Sequence, residues 1–297
     1  MMPSATPCRV LAAALALVLA GAVATAAAAS DPVARGAYLA RAGGCFSCHT
    51  VARGQPLAGG RALATPFGTF YTPNITPDRE TGIGSWSDAD FLRALREGVR
   101  PDGANYFPVF PYPSFTGITD TDALAIKAYL FSLPAVHAPN RAHDVPFPFS
   151  WRLLQSGWKL LFFTRGPFRP VPAHDAAYNR GAYLVTALAH CGECHTPRNV
   201  LGAARSSRAL SGTARGPDGQ LVPNITPEPR TGIGGWQKSE LVELFRTGKT
   251  PEETTVKGAM RETVEDGLKY LSAADLAAIA DYLLAQAPIV HEVTPLR

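Results

Sequence analysis

Hydrophobic and polar positions along the chain fall into helix-length blocks separated by stretches dense in glycine, proline and threonine. The first block carries Tyr38 and Leu39 and stops at Gly43-Gly44. A second opens at Ser87, with Asp90 three residues on, presents Phe91, Leu92 and Leu95, and ends at Gly98. A hydroxyl residue followed by an acid at that spacing is a capping-box start, and glycine is a common stop. A third block begins at Thr119, boxed by Asp122, passes Tyr129 and stops before Pro134; a later twin begins at Ser272 with Asp275. No run alternates convincingly at period two, so the pattern predicts an all-α fold.

The blocks occur twice. Arg35-Gly36-Ala37-Tyr38-Leu39 recurs at Arg180 to Leu184, and Pro73-Asn74-Ile75-Thr76-Pro77 at Pro223 to Pro227. Thr81 to Gly84 recurs at Thr231 to Gly234, Trp86 at Trp236, and Tyr129-Leu130 at Tyr282-Leu283. The offset creeps from 145 to 153 while the order holds, which is the mark of a duplicated unit with small loop insertions. The expected organisation is two tandem domains, 30–136 and 175–297, joined by a segment 137–174 rich in proline and aromatic residues. Within that segment Trp151, Leu154, Trp158 and Leu161 share one helical face, predicted to pack against both domains; a docking surface is the sharper alternative.

The first 29 residues read differently. After Arg9 the chain runs from Val10 to Ala29 without a charge and ends in small residues. That pattern predicts a cleaved secretory signal peptide, with an uncleaved anchor as the rival reading. No later stretch is long and apolar enough to span a membrane, so no transmembrane span is expected in the mature chain. The expected location is the bacterial periplasm, with peripheral attachment to the inner membrane left open. Over the whole sequence 28 basic residues face 24 acidic ones, too balanced for nucleic-acid binding as the main role.

Of five cysteines, four lie in two copies of one motif: Cys45-Phe46-Ser47-Cys48-His49 and Cys191-Gly192-Glu193-Cys194-His195. C-x-x-C-H is the attachment signature of c-type haem, in which two thiols bond the porphyrin and the adjacent imidazole reaches the iron. Thioredoxin-like and zinc sites share only the C-x-x-C part. Two covalently bound haem c groups are therefore expected, one on Cys45, Cys48 and His49, the other on Cys191, Cys194 and His195. Met260 is the one methionine after the first two residues, and it is expected as sixth ligand of the second iron, raising its potential. At the 150 offset its counterpart is Phe110, which cannot bind iron. For the first iron the sixth position stays open, with His137 and His143 as candidates. Pro73 and Pro223 are expected to hold the proximal imidazoles through their carbonyls, and Trp86 and Trp236 either line the haem edge or fill the core.

The run from Phe67 to Asp78, continuing through Thr81 to Gly84, Trp86 and Arg96-Glu97-Gly98, resembles the multihaem cytochrome c subunits of periplasmic alcohol, gluconate and aldehyde dehydrogenases. The resemblance implies electron relay from a dehydrogenase subunit to a downstream acceptor (a cytochrome, a quinone or a terminal oxidase), with no substrate turnover by this chain alone. Phe107 to Tyr112 resembles a family motif that has methionine where Phe110 stands. Many members carry a third C-x-x-C-H domain and a C-terminal membrane-binding stretch; this sequence has two such motifs. The alternative is a catalytic dihaem oxidoreductase, thiosulfate dehydrogenase- or peroxidase-like, working at the first haem; a redox or gas sensor is a third reading.

Overall fold

The computed structural model of the protein describes residues 31–294; the expected signal peptide lies outside them. In chain order the elements are α1 (Pro32–Ala42), α2 (Cys45–His49), a hairpin of β1 (Ala62–Thr65) and β2 (Gly68–Tyr71), α3 (Asp88–Glu97), α4 (Tyr112–Phe115) and α5 (Asp120–Ser132). Then follow α6 (Leu154–Phe162), α7 (Ala176–Tyr183), α8 (Gly192–His195), α9 (Lys238–Thr247), α10 (Gly258–Asp266) and α11 (Ala273–Leu284). The fold is mostly helical with little strand. The hairpin corrects the all-α expectation: its strands have four residues each, with Ala62 opposite Tyr71, too short to show an alternating pattern.

Each half is built on one close helix crossing. Asp31 caps α1 by accepting from the Val33 N–H at 2.9 Å, and Pro32 stands in the first turn, where a missing N–H costs nothing. α1 crosses α5 so tightly that a Cβ on Gly36 would lie 1.9 Å from the Ala125 carbonyl oxygen; where α7 crosses α11, one on Gly181 would lie 2.0 Å from that of Ala278. The glycine of each R-G-A-Y-L repeat thus permits backbone to meet backbone. Leu39, Ile126 and Leu130 of the first half and Leu184, Leu188, Leu276 and Ile279 of the second belong to one continuous buried core.

The predicted caps hold with one informative difference. Ser87 and Asp90 form the full reciprocal box at the start of α3. Thr119 and Ser272 accept from the N–H groups of Asp122 and Asp275, but those carboxylates turn away from their own helix starts. Asp122 pairs with Arg35 of its own half and accepts from the Tyr183 hydroxyl of the other at 2.7 Å. Asp275 pairs with Arg180 at 2.7 Å and accepts from the Tyr38 hydroxyl at 2.6 Å. The Arg and Tyr of each repeat therefore meet an aspartate at both ends of a reciprocal, pseudo-two-fold contact.

Segment 137–174 is stitched mainly to the first half. Lys159 Nζ donates to the carbonyls of Glu97 and Gly98 and to Asn105 Oδ1, while Arg152 donates to the Asn105 carbonyl. Trp158 does bridge the halves: its ring stands edge-on to Tyr112, and its Nε1–H donates to the Leu201 carbonyl at 2.9 Å. Its expected companions do not pack inward. Trp151, Leu154 and Leu161 are 53%, 41% and 69% exposed, because polar anchors already fix the helix to the surface beneath.

Candidate haem centres

The two C-x-x-C-H motifs occupy equivalent places, each directly after its crossing helix. α2 follows α1 through Gly43-Gly44, and α8 follows a wide π turn, Leu184–Leu188, that continues α7. His49 Nδ1 lies 2.7 Å from the Pro73 carbonyl oxygen, and His195 Nδ1 lies 2.9 Å from that of Pro223. A carbonyl can only accept, so Nδ1 carries the proton in both rings and Nε2 keeps its lone pair. Burial pulls both imidazoles below the ordinary histidine range, with the carbonyl contact opposing it. A neutral imidazole with an oriented Nε2 is the form a metal ligand requires.

The P-N-I-T segments fix those carbonyls. Asn74 Oδ1 accepts from the Thr76 N–H and hydroxyl, while its Nδ2 donates to Thr81 and to the Val136 carbonyl. Asn224 repeats the arrangement on Thr226, Thr231 and the Ile289 carbonyl. Gly59 and Gly212, with φ of +76° and +80°, lie where a Cβ would come within 2.6 Å of the proline carbonyl carbon. A side chain there would push the carbonyl off the imidazole.

All four thiols are free. Burial, helped by the neighbouring thiol, pushes Cys45 and Cys191 up to about 12, and burial with Glu193 nearby pushes Cys194 up to about 11. Catalytic C-x-x-C pairs work the other way, with a thiol lowered so that it ionises. Among the described residues no three His, Cys, Asp or Glu side chains gather as a metal site. Each motif therefore offers two neutral, half-buried thiols and one imidazole nitrogen, a donor set that fits a porphyrin carrying its own iron.

The two positions that correspond at the 150 offset differ. Met260 lies on α10, half-buried against the core, and Phe110 is its half-buried counterpart in the loop before α4. Around Phe110 the neighbours are aromatic, with Tyr106 and Phe115 at ring distances of 5.1 and 5.8 Å. His143 is engaged elsewhere: its Nδ1 accepts from the Tyr71 N–H at 3.2 Å, so the proton sits on Nε2. That is the reverse of the tautomer seen at His49 and His195. His137 stands beside Glu80 and Asp78, at 3.7 and 3.8 Å. Trp86 and Trp236 pack against the core.

Sequence patterning missed how the sites lean on one another. α4 of the first half touches the second motif, where Ser114 donates to Glu193 at 2.7 Å. α10 of the second half touches the first motif: Arg61 donates to the Ser47 carbonyl and pairs with Glu262 of α10, both at 2.6 Å. Arg41 adds a bond to the Asp266 carbonyl. Gly44, just before Cys45, packs on the His190 ring, just before Cys191, and Cys48 lies near enough to Cys194 to disfavour its ionisation. Long-range ion pairs such as Arg61 with Glu262 leave no periodic trace in a sequence; the repeated Arg and Tyr of R-G-A-Y-L were the available clue.

Two motifs of this geometry on a mostly helical fold define a c-type cytochrome. The chain belongs to the cytochrome c family, whose profile matches residues 33–134, and that membership implies covalently bound haem c. It is 42% identical over 256 residues to "Diheme cytochrome c-type" of Cereibacter sphaeroides, covering 84% of each chain. It is 43% identical to "Fructose dehydrogenase cytochrome subunit" of Gluconobacter japonicus, over 84% of this chain and 52% of that one. It is 41% identical to "Gluconate 2-dehydrogenase cytochrome c subunit" of Pantoea cypripedii, over 84% and 58%. The chain thus spans little more than half the length of those two relatives. No helix among the described residues is long and apolar enough to cross a membrane.

Proposed function

We propose that the chain is an exported dihaem cytochrome c that relays single electrons from a periplasmic dehydrogenase subunit to a downstream cytochrome, quinone or terminal oxidase. In this reading residues 1–29 are a signal peptide, 30–136 and 175–297 are tandem cytochrome c domains, and 137–174 is their linker. Cys45 and Cys48 hold one haem c with His49 as axial ligand. Cys191 and Cys194 hold the other, with His195 and Met260 on its iron. The observation that carries the proposal is the repeated imidazole geometry, with Nδ1 tied to a proline carbonyl and Nε2 left for iron at both motifs.

Bound haem supplies a one-electron couple; the protein supplies attachment, ligand orientation and burial. The proline carbonyls keep each imidazole in one tautomer and raise its donor strength. The reciprocal contacts hold the two attachment segments side by side. Names of the relatives support a dehydrogenase partner. The test is reconstitution: holoprotein should carry two covalent haems per chain by pyridine haemochrome assay and accept electrons from a sugar- or alcohol-oxidising dehydrogenase. A single haem per chain, or unaided turnover of a small substrate, would refute the relay. Phe110 favours one second reading, a catalytic oxidoreductase working at the first haem, where no thioether closes the iron.

A further inference from the structure

The second half carries one residue that the repeat does not account for. R-G-A-Y-L recurs at an offset of 145 and C-x-x-C-H at 146, so the stretch between them is one residue longer in the second half. The π turn Leu184–Leu188 takes up that residue, whereas α1 ends in a regular cap at Gly43. Such a turn is an insertion into a helix and is frequent at functional sites. Just beyond it His190, the residue before Cys191, takes φ +39°, where non-glycine residues are uncommon. Its counterpart before Cys45 is Gly44, at φ +68°. Only the second half has a side chain at this point.

That side chain lies between the two attachment segments. A Cβ on Gly44 would lie 3.8 Å from His190 Nε2, and one on Gly43 would lie 3.5 Å from the Leu188 side chain. The Phe115 ring of α4 stands edge-on to the imidazole, with centroids 5.2 Å apart. Burial pulls His190 below the ordinary histidine range, while Glu193 and the Gly43 carbonyl, both close to the ring, oppose it. The imidazole thus meets the turn that opens the first motif, a helix of the first half, and Glu193 of the second motif. Glu193 is itself fixed, accepting from Ser114 at 2.7 Å and from Arg198 at 2.6 Å.

We propose that His190 is a positioning residue that sets the spacing and relative orientation of the two haem c groups. The inference rests on the dihaem reading above. Each haem is bonded to its segment through two thioethers, so whatever fixes one C-x-x-C-H turn against the other also fixes one porphyrin against the other. Cys48 and Cys194 already lie near one another across this contact. The tyrosine–aspartate bonds join the halves at the starts of α5 and α11; His190 joins them at the attachment turns themselves. An uncommon backbone conformation persists where its surroundings over-determine it, and functional sites are where this collects. Here it aims one imidazole at the neighbouring turn, which is what two centres held at a fixed separation require.

The test is Soret circular dichroism of the ferric holoprotein, alongside covalent haem content by pyridine haemochrome assay. Two haems held close at a fixed angle give a paired positive and negative band by exciton coupling; separate haems give single bands. The parent should show the pair. His190→Gly keeps the left-handed backbone without strain, so it should fold and load two haems, yet lose the paired band. His190→Asn should restore it, since asparagine tolerates a positive φ and its amide can donate to the Gly43 carbonyl. Phe115→Leu, which removes the edge contact, should weaken the pair without abolishing it. Two haems with an unchanged pair in His190→Gly overturn the proposal and leave the relay standing. So does a parent with two haems and no pair. A parent with fewer than two haems refutes the dihaem reading instead.

Discussion

In the first half, Phe110 stands in the loop after α3 with Tyr106 and Phe115 against its ring; in the second, Met260 holds the corresponding place on a regular helix, α10. Everything on the proximal side is repeated almost atom for atom: the proline carbonyl on Nδ1, the Asn-Thr clasp behind it, and the glycine that lets the two approach. Duplication kept the device that presents an imidazole, while the residues at the corresponding positions 110 and 260 diverged. Two irons with one proximal environment and different distal ones would differ in potential and in access, which is how a repeated domain acquires a direction.

The comparison can be broken most forcefully at the attachment step. Replacing Cys191 and Cys194 with serine should halve the covalent haem per chain by pyridine haemochrome assay, and so should replacing Cys45 and Cys48. Loss of both haems from either variant would mean that the halves do not load independently. Next in size is an exchange of covers. Met260→Ala should lower one of the two midpoint potentials by on the order of 0.1 V, part of the ~0.8 V range that axial ligands span. Phe110→Met should raise the other by a comparable amount. If Met260→Ala leaves both potentials in place, its side chain is core filler.

A smaller change should follow from loosening α10. Arg61 joins the Ser47 carbonyl of the first motif to Glu262, two residues beyond Met260. Arg61→Ala should weaken the methionine-to-ferric-iron charge-transfer band of the second site while leaving haem content intact, with partial rescue by Arg61→Lys, which keeps the positive charge but not the planar fork. The smallest effect belongs to the reciprocal tyrosines. Tyr38→Phe and Tyr183→Phe should each cost about 1–3 kcal/mol in denaturant unfolding, as expected for a half-buried and a buried bond to a carboxylate. Acid should then weaken the Asp275 contact. Burial would raise the Asp275 carboxyl, but bonds from Arg180 and Tyr38 hold it below the ordinary aspartate range. Its folded value therefore lies below its unfolded one, so its stabilisation is complete above about pH 4 and fades as pH falls through the folded value. Asp275→Asn should be less stable than the parent at pH 7, and the gap should narrow as pH falls below the ordinary aspartate range.

Much of this was legible from local chemistry. Ser87 with Asp90, Thr119 and Ser272 announce helix starts because caps act within three residues, and C-x-x-C-H announces its chemistry because attachment needs two thiols and an imidazole on one turn. What escaped was non-local. Asp122 and Asp275 looked like capping-box acids, yet each is claimed by an arginine of its own half and a tyrosine of the other. The linker face looked like packing surface because its spacing is helical, but periodicity says only that residues share a side. Lys159 and Arg152 reach inward for carbonyls and leave the leucines outside.

The central claim is that the two haem sites share a proximal design and differ in whether the far side of the iron is closed. Carbon monoxide binding to the dithionite-reduced holoprotein tests it directly, since the gas takes only an open or weakly held position. The account predicts one CO per chain, bound at the site of Cys45, Cys48 and His49, with the Met260 site unchanged. Binding at neither site would mean that a side chain closes the first iron as firmly as Met260 closes the second, and would contradict the difference on which the account rests.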